Sequence, residues 1–155
     1  MKKYIVIVSS FLLSTCMHDY SKIVFTHYSS DLKKQQKIKY SAQIPKGFVL
    51  KTYKAGGEVG TENQYSYSDS SVIYISDFAS SINEQNIRNE GYASKKFEYN
   101  MKKYSSNNDT LILSGKNQNE LYWKEVIIGK ICFGYIEVRL EKKNIFDKAL
   151  NTIKR

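Results

Sequence analysis

The 155-residue chain is poor in the residues that most often do chemistry: it holds 2 His, 2 Cys, 1 Trp and 1 Pro. Two histidines, His18 and His27, leave little for a catalytic triad or a metal cage, both of which need several oriented ligands. Two cysteines, Cys16 and Cys132, allow at most one bridge, so the chain is no disulfide scaffold. One proline and 8 glycines exclude a Pro/Gly-rich low-complexity chain. Arginine occurs only at positions 88, 139 and 155, so there is no arginine-rich strip. No apolar run reaches the roughly 20 residues that a membrane-spanning helix needs.

Tyrosine and lysine are abundant instead. There are 13 Tyr, a residue suited to half-buried strands and to wet binding faces. Net charge is +9. The lysines are scattered in small groups (33, 34, 37 and 39; 95 and 96; 102 and 103; 142 and 143), which reads as a solvated basic surface beside an anionic membrane. The absence of a basic cluster argues against a nucleic-acid partner and leaves a protein or an acidic envelope polymer as the expected one.

The amino terminus carries an address. Lys2 and Lys3 precede a short apolar run, Tyr4 to Leu13, in the order of a secretory signal peptide. The following Leu13-Ser14-Thr15-Cys16 resembles a lipobox, the bacterial pattern of Leu, two small residues and a lipidated cysteine. That resemblance implies cleavage before Cys16, multiple acylation of Cys16 and anchoring in the bacterial cell envelope, with the outer membrane expected. Each buried CH₂ adds about 0.8 kcal/mol of membrane affinity, and stable anchoring takes more than one chain. Thr15 departs from the usual Gly, Ala or Ser. Loss of residues 1–15 removes two lysines and no acid, which leaves a net charge of +7. Cys132 then has no cysteine partner and reads as a buried, inert thiol.

The expected organisation is a signal peptide over 1–15, a lipidated tether over 16–36 and one domain over 37–155. Ile38, Tyr40, Ala42 and Ile44 alternate with polar residues as a half-buried strand does, and Pro45-Lys46-Gly47 is a turn. Further strands are expected over Phe48–Lys54, Gln64–Tyr67, Ser71–Asp77 and Asp109–Ser114. A helix is expected over Ser80–Asn89, ended by Gly91. Lys95–Tyr104 fits a helix with Phe97, Met101 and Tyr104 on one face, or a strand with Phe97, Tyr99 and Met101 on one face; the helix is the expected reading.

Asn119 to Leu140 reads as a hairpin closed by Gly129-Lys130. That register sets Leu121 against Val138, Trp123 against Ile136, Glu125 against Gly134 and Ile127 against Cys132. On the other face it sets Glu120 against Arg139, Val126 against Phe133 and Ile128 against Ile131. A final helix capped by Asn144, with Ile145, Phe146, Ala149, Leu150 and Ile153 in one stripe, should cover the Leu121, Trp123, Ile136, Val138 face. The fold class is therefore α+β, a twisted antiparallel sheet of about six strands with a C-terminal amphipathic helix on one face. The segment Ile44-Pro45-Lys46-Gly47-Phe48, the long hairpin and the terminal helix resemble the PsbP/Mog1-like domain. Members of that group are mostly non-enzymatic binding or assembly factors.

Three features could carry chemistry. Glu125 falls on the apolar face, opposite Gly134, which leaves space beside it. A polar handle in a pocket is one reading, and a carboxylate twisted into water is the other. Asp109-Thr110-Leu111 resembles a short O-glycosylation motif of exported bacterial proteins, with Thr110 as the acceptor. Gly56-Gly57-Glu58-Val59-Gly60 lacks the Lys-Ser/Thr of a phosphate loop and reads as a flexible hairpin rim. No catalytic set, metal site or cofactor is expected. The sequence thus points to a non-enzymatic, lipid-anchored binding or assembly module, with an immunity or inhibitor lipoprotein against an exported toxin as the alternative.

Overall fold

A computed structural model describes residues 19–31, 34–54, 60–77, 81–102, 110–129 and 131–155. The fold is α+β. Strands β1 (Tyr20–Asp31) and β2 (Lys34–Pro45) form a two-stranded antiparallel sheet. Strands β3 (Val49–Lys54), β4 (Thr61–Ser66), β5 (Val72–Ser76), β6 (Thr110–Lys116), β7 (Tyr122–Ile128) and β8 (Ile131–Val138) form a second, twisted antiparallel sheet, ordered β3-β4-β5-β8-β7-β6. Helices α1 (Glu84–Asn89) and α2 (Ala93–Lys102) lie between β5 and β6 in the chain, and α3 (Leu140–Asn151) follows β8. Among the described residues no helix is long and apolar enough to cross a membrane.

Burial follows position in the sheet. Central β5 reads Val-Ile-Tyr-Ile-Ser and is buried at every residue, as a strand covered on both faces must be. Edge strand β6 buries Leu111 and Leu113 and exposes Ile112 between them, the period of a strand with one wet face. The β1–β2 hairpin and α3 cover one face, where Phe25, Ile44, Ile73, Phe133, Val138 and Phe146 share a core. Helices α1 and α2 lie over the other, where Tyr74, Ile87, Leu113, Trp123, Ile127 and Ile136 pack together.

The ordered fold begins earlier than residue 37. Where a tether was expected, Ile23, Phe25 and His27 are buried in β1, paired with Ala42, Tyr40 and Ile38 of β2. The alternation of β1 is hidden in the sequence by threonine, serine and histidine on its flanks. Its inward residues count only once β2 supplies the register. Residues 1–18, with Cys16 and His18, lie outside the described residues.

The β7–β8 hairpin closes as its sequence predicts, through Ile128 opposite Ile131, Ile127 opposite Cys132 and Glu125 opposite Gly134. Beyond Lys124, opposite Tyr135, the register slips: Tyr122, not Leu121, faces Val138. Trp123 alone therefore spans Ile136 and Glu137, which is a β-bulge, and Glu137 takes the left-handed φ of 58°. One extra residue turns every later side chain to the other face. Ile136 stays with Trp123, but Val138 joins Phe133 and Tyr135. This overturns two expectations. Helix α3 packs on the Phe133, Tyr135, Val138 face rather than on Trp123, and Glu120 pairs with Lys116 at 2.6 Å rather than standing opposite Arg139.

The stripe of α3 is the expected one, with Phe146, Ala149 and Leu150 buried and Ile145 and Ile153 packed against the same core. Fully burying Phe146 and Leu150 stabilises the fold by about 1.5–3 kcal/mol each. Asn144 is not its cap. The helix starts straight after extended Arg139, without a side-chain cap, so Asn144 lies inside it. The chain end is tied back by two hydrogen bonds, Ser41 N–H to Lys154 C=O at 2.8 Å and Lys154 N–H to Ser41 C=O at 2.9 Å.

Candidate functional site

Glu125 and Gly134 are neighbours, as their register requires, and Glu125 is enclosed by the core. Glu125 is fully buried. Its Oε2 accepts hydrogen bonds from Tyr74 Oη at 2.6 Å and from Ser81 Oγ at 2.7 Å. Its Oε1 lies 3.0 Å from the Lys96 ammonium, as an ion pair. Lys96 Nζ also reaches Glu84 Oε2 at 3.0 Å, so one ammonium joins α1, α2 and β7. Burial, and then the Glu125 carboxylate, push the Tyr74 phenol well above its usual value. Burial pulls the Lys96 ammonium down, but Glu125 and Glu84 outweigh it and leave it raised.

The space that Gly134 leaves is filled from within. A Cβ at this position would stand 2.2 Å from the Lys124 carbonyl oxygen and 2.5 Å from Tyr74 Oη. The Tyr74 side chain passes over Gly134 to reach Glu125. A buried carboxylate needs a cation and donors, and this demand sets the face of α2. Its inward residues are Lys96 and Tyr99, with Tyr92 just ahead of the helix, and the Tyr99 hydroxyl donates to the Ile127 carbonyl at 3.2 Å. Phe97, expected on the inner face, is 66% exposed.

The histidine that the sequence placed on a tether is fixed by the fold. His27 is buried and its Nδ1 lies 2.8 Å from Asp77 Oδ2. Asp77 Oδ1 accepts the Thr61 N–H. Thr110 is exposed at the first residue of β6. Cys132 is buried as a thiol in β8. Most of the glycine-rich loop, residues 55–59, lies outside the described residues. Among those described, no group of three or more His, Cys, Asp or Glu is placed to hold a metal ion.

An open cavity of about 300 Å³ lies where the bulged end of β7 meets the edge strand β6. Gly115 stands opposite Trp123 in the ladder, and the indole covers it: a Cβ there would sit 3.0 Å from both Cζ2 and Nε1 of Trp123. Trp123 is only 1% exposed. Buried donors are nearly always paired, and its Nε1–H has no acceptor among the described residues. The Glu90 carboxyl carbon lies 3.1 Å from the same Cβ position.

Lysines, Ser114 and two tyrosines, Tyr122 and Tyr135, complete the wall. Lys116 Nζ is 5.2 Å and Lys143 Nζ 5.8 Å from the centre of the Tyr122 ring. Lys124 and Lys143 are steered by Asp147, at 3.0 and 2.7 Å. Burial pushes the Asp147 carboxyl up, but the hydrogen bonds from Lys143 and Lys124 outweigh it and hold it low. Three lysines thus face the cavity against one glutamate. Sequence reasoning missed this site. Its one legible sign was the lone Trp beside Tyr122 and Lys124. The bulge that aims these residues has no sequence mark, because Glu137 is neither Gly nor Asn.

No family model, no curated protein and no solved structure matches the chain.

Proposed function

We propose that the chain is a lipid-anchored lipoprotein of the bacterial cell envelope that works as a non-catalytic binding module, with the β6–β7 cavity as its ligand face. The single observation that carries the binding role is the buried Trp123 N–H, without an acceptor among the described residues, in the wall of a lysine-rich cavity. A few convergent polar groups in a partly apolar concavity are the usual make-up of a ligand site. The anchor rests on Lys2-Lys3, the apolar run and Cys16. The likeness of Ile44–Phe48 to PsbP/Mog1-like domains, mostly non-enzymatic, points the same way.

The test has two arms. Intact-mass analysis of the membrane-extracted protein should give a chain beginning at Cys16 and carrying acyl groups, and Cys16→Ser should abolish the acylation. An unmodified mature end at another residue would remove the anchor. For the binding role, envelope polymer fractions are titrated while the fluorescence of Trp123, the only tryptophan of the chain, is followed. An indole indifferent to every fraction would remove the module.

A further inference from the structure

We infer that the β6–β7 cavity takes an acidic saccharide, a hexuronate unit of an envelope polymer; this rests on the binding-module reading and names its ligand class. Four features of the wall each match one part of such a ligand. The Tyr122 ring, in the wall and near two ammonium groups, offers an apolar surface for the C–H face of a pyranose. Lys116 and Lys143 lie near that ring in the same wall, within reach of a sugar carboxylate, and charge-assisted bonds to a carboxylate are the strong ones. Trp123 Nε1–H, over Gly115, donates to a ring or hydroxyl oxygen. Glu90, an acceptor-only group, stands beside the same point and takes hydroxyl protons.

Glu90 also decides between anions. A carboxylate close to the indole N–H repels a phosphate dianion but suits a ligand that carries one charge and several hydroxyls. The lysines can re-pair. Lys116 holds Glu120 in a pair whose side chains are 43% and 78% exposed, and exposed pairs of this kind are weak and easily exchanged. Lys143 holds Asp147 through an i,i+4 contact on α3, while Lys124 and the Tyr135 hydroxyl also bind that carboxylate. Asp147 therefore keeps partners when Lys143 turns to a ligand.

The experiment uses the full-length protein in detergent micelles and the fluorescence of Trp123. Trigalacturonate is titrated beside its methyl ester, triglutamate and inorganic phosphate. Trigalacturonate is expected to shift the emission saturably. The ester should bind about tenfold more weakly, as should trigalacturonate to Lys143→Ala, since each loses one charge-assisted contact. Lys143→Arg should restore most of the binding. Circular dichroism checks that each variant is folded. No response to trigalacturonate, or an equal response to its ester, overturns the inference. A response to phosphate or triglutamate as strong as that to the uronate also overturns it, while leaving the binding-module reading standing.

Discussion

Tyr74 and Glu125 sit on strands that do not pair, yet their side chains bond at 2.6 Å. Strand β8 runs between them, and its Gly134 stands opposite Tyr74 on one side and Glu125 on the other. The Tyr74 side chain crosses the sheet over this missing side chain. The three residues form one row, and the middle one matters by having no Cβ.

Gly134→Ala is therefore expected to cost about 3 kcal/mol or more, because its methyl meets a backbone oxygen and a fully buried phenol. Gly47→Ala makes the comparison. It has a φ of 88° and nothing within 4 Å, so only backbone strain opposes it, about 1–2 kcal/mol. Urea unfolding of the two variants checks the ranking; equal losses would mean that the Lys124 backbone and the Tyr74 side chain both give way freely.

Lys96 and Glu125 form a pair whose side chains are 5% and 0% exposed. Breaking such a pair from one side leaves a buried charge, which costs about 3–5 kcal/mol. Lys96→Met should show that loss. The double variant Lys96→Met/Glu125→Gln should be more stable than Lys96→Met alone, since the uncompensated carboxylate is gone. A double-mutant cycle measures the coupling, and additive losses would show that the two groups act separately.

Glu137 holds the bulge at a φ of 58°, with Asn117 Nδ2 donating to its Oε1 at 2.7 Å. Glu137→Gly should be close to neutral, gaining backbone ease and losing one hydrogen bond. Glu137→Val, β-branched in a left-handed conformation, should lose about 1–3 kcal/mol. Thermal melts of the two, with Trp123 fluorescence as a local reporter, check the sign. Equal stability would mean that the bulge relocates.

Acid should loosen the β4–β5 turn against α3. Burial raises the Asp69 carboxyl, but hydrogen bonds from Lys142 and Ser71 overturn this and hold it at about 2, against an ordinary 3.8. A carboxyl depressed in the folded state stabilises above its unfolded value and loses that contribution as pH falls through the folded one. The wild type should thus lose stability between about pH 4 and pH 2, and Asp69→Asn should lose less there. Parallel pH profiles for the two would show that the Lys142 contact, 2.6 Å long, does not stabilise the fold.

Much of the fold could be read along the chain because its strands and α3 satisfy local rules. The alternation of Ile38 to Ile44, the Gly129 turn and the Phe146, Ala149, Leu150 stripe each need only a neighbour on one face. Helix α2 shows where this stops. Its apolar pattern put Phe97 inward, but Lys96 is buried, because Glu125 on a distant strand needs an ammonium. Burying an unpaired carboxylate costs more than exposing one phenylalanine. Glu125 and Gly134, expected together from the hairpin register, do meet, yet as parts of the core.

The sequence by itself determined the α+β class, the closing of the β7–β8 hairpin and the amphipathic face of α3, since period and turn chemistry are local. Only the tertiary structure decided which side of the sheet α3 covers, what surrounds Glu125 and where the Trp123 indole lines a cavity. The side that α3 covers depends on one bulged residue, Glu137, whose left-handed backbone is held by the packed sheet and by Asn117 from another strand end. No local propensity encodes it, and every side chain beyond it changes face.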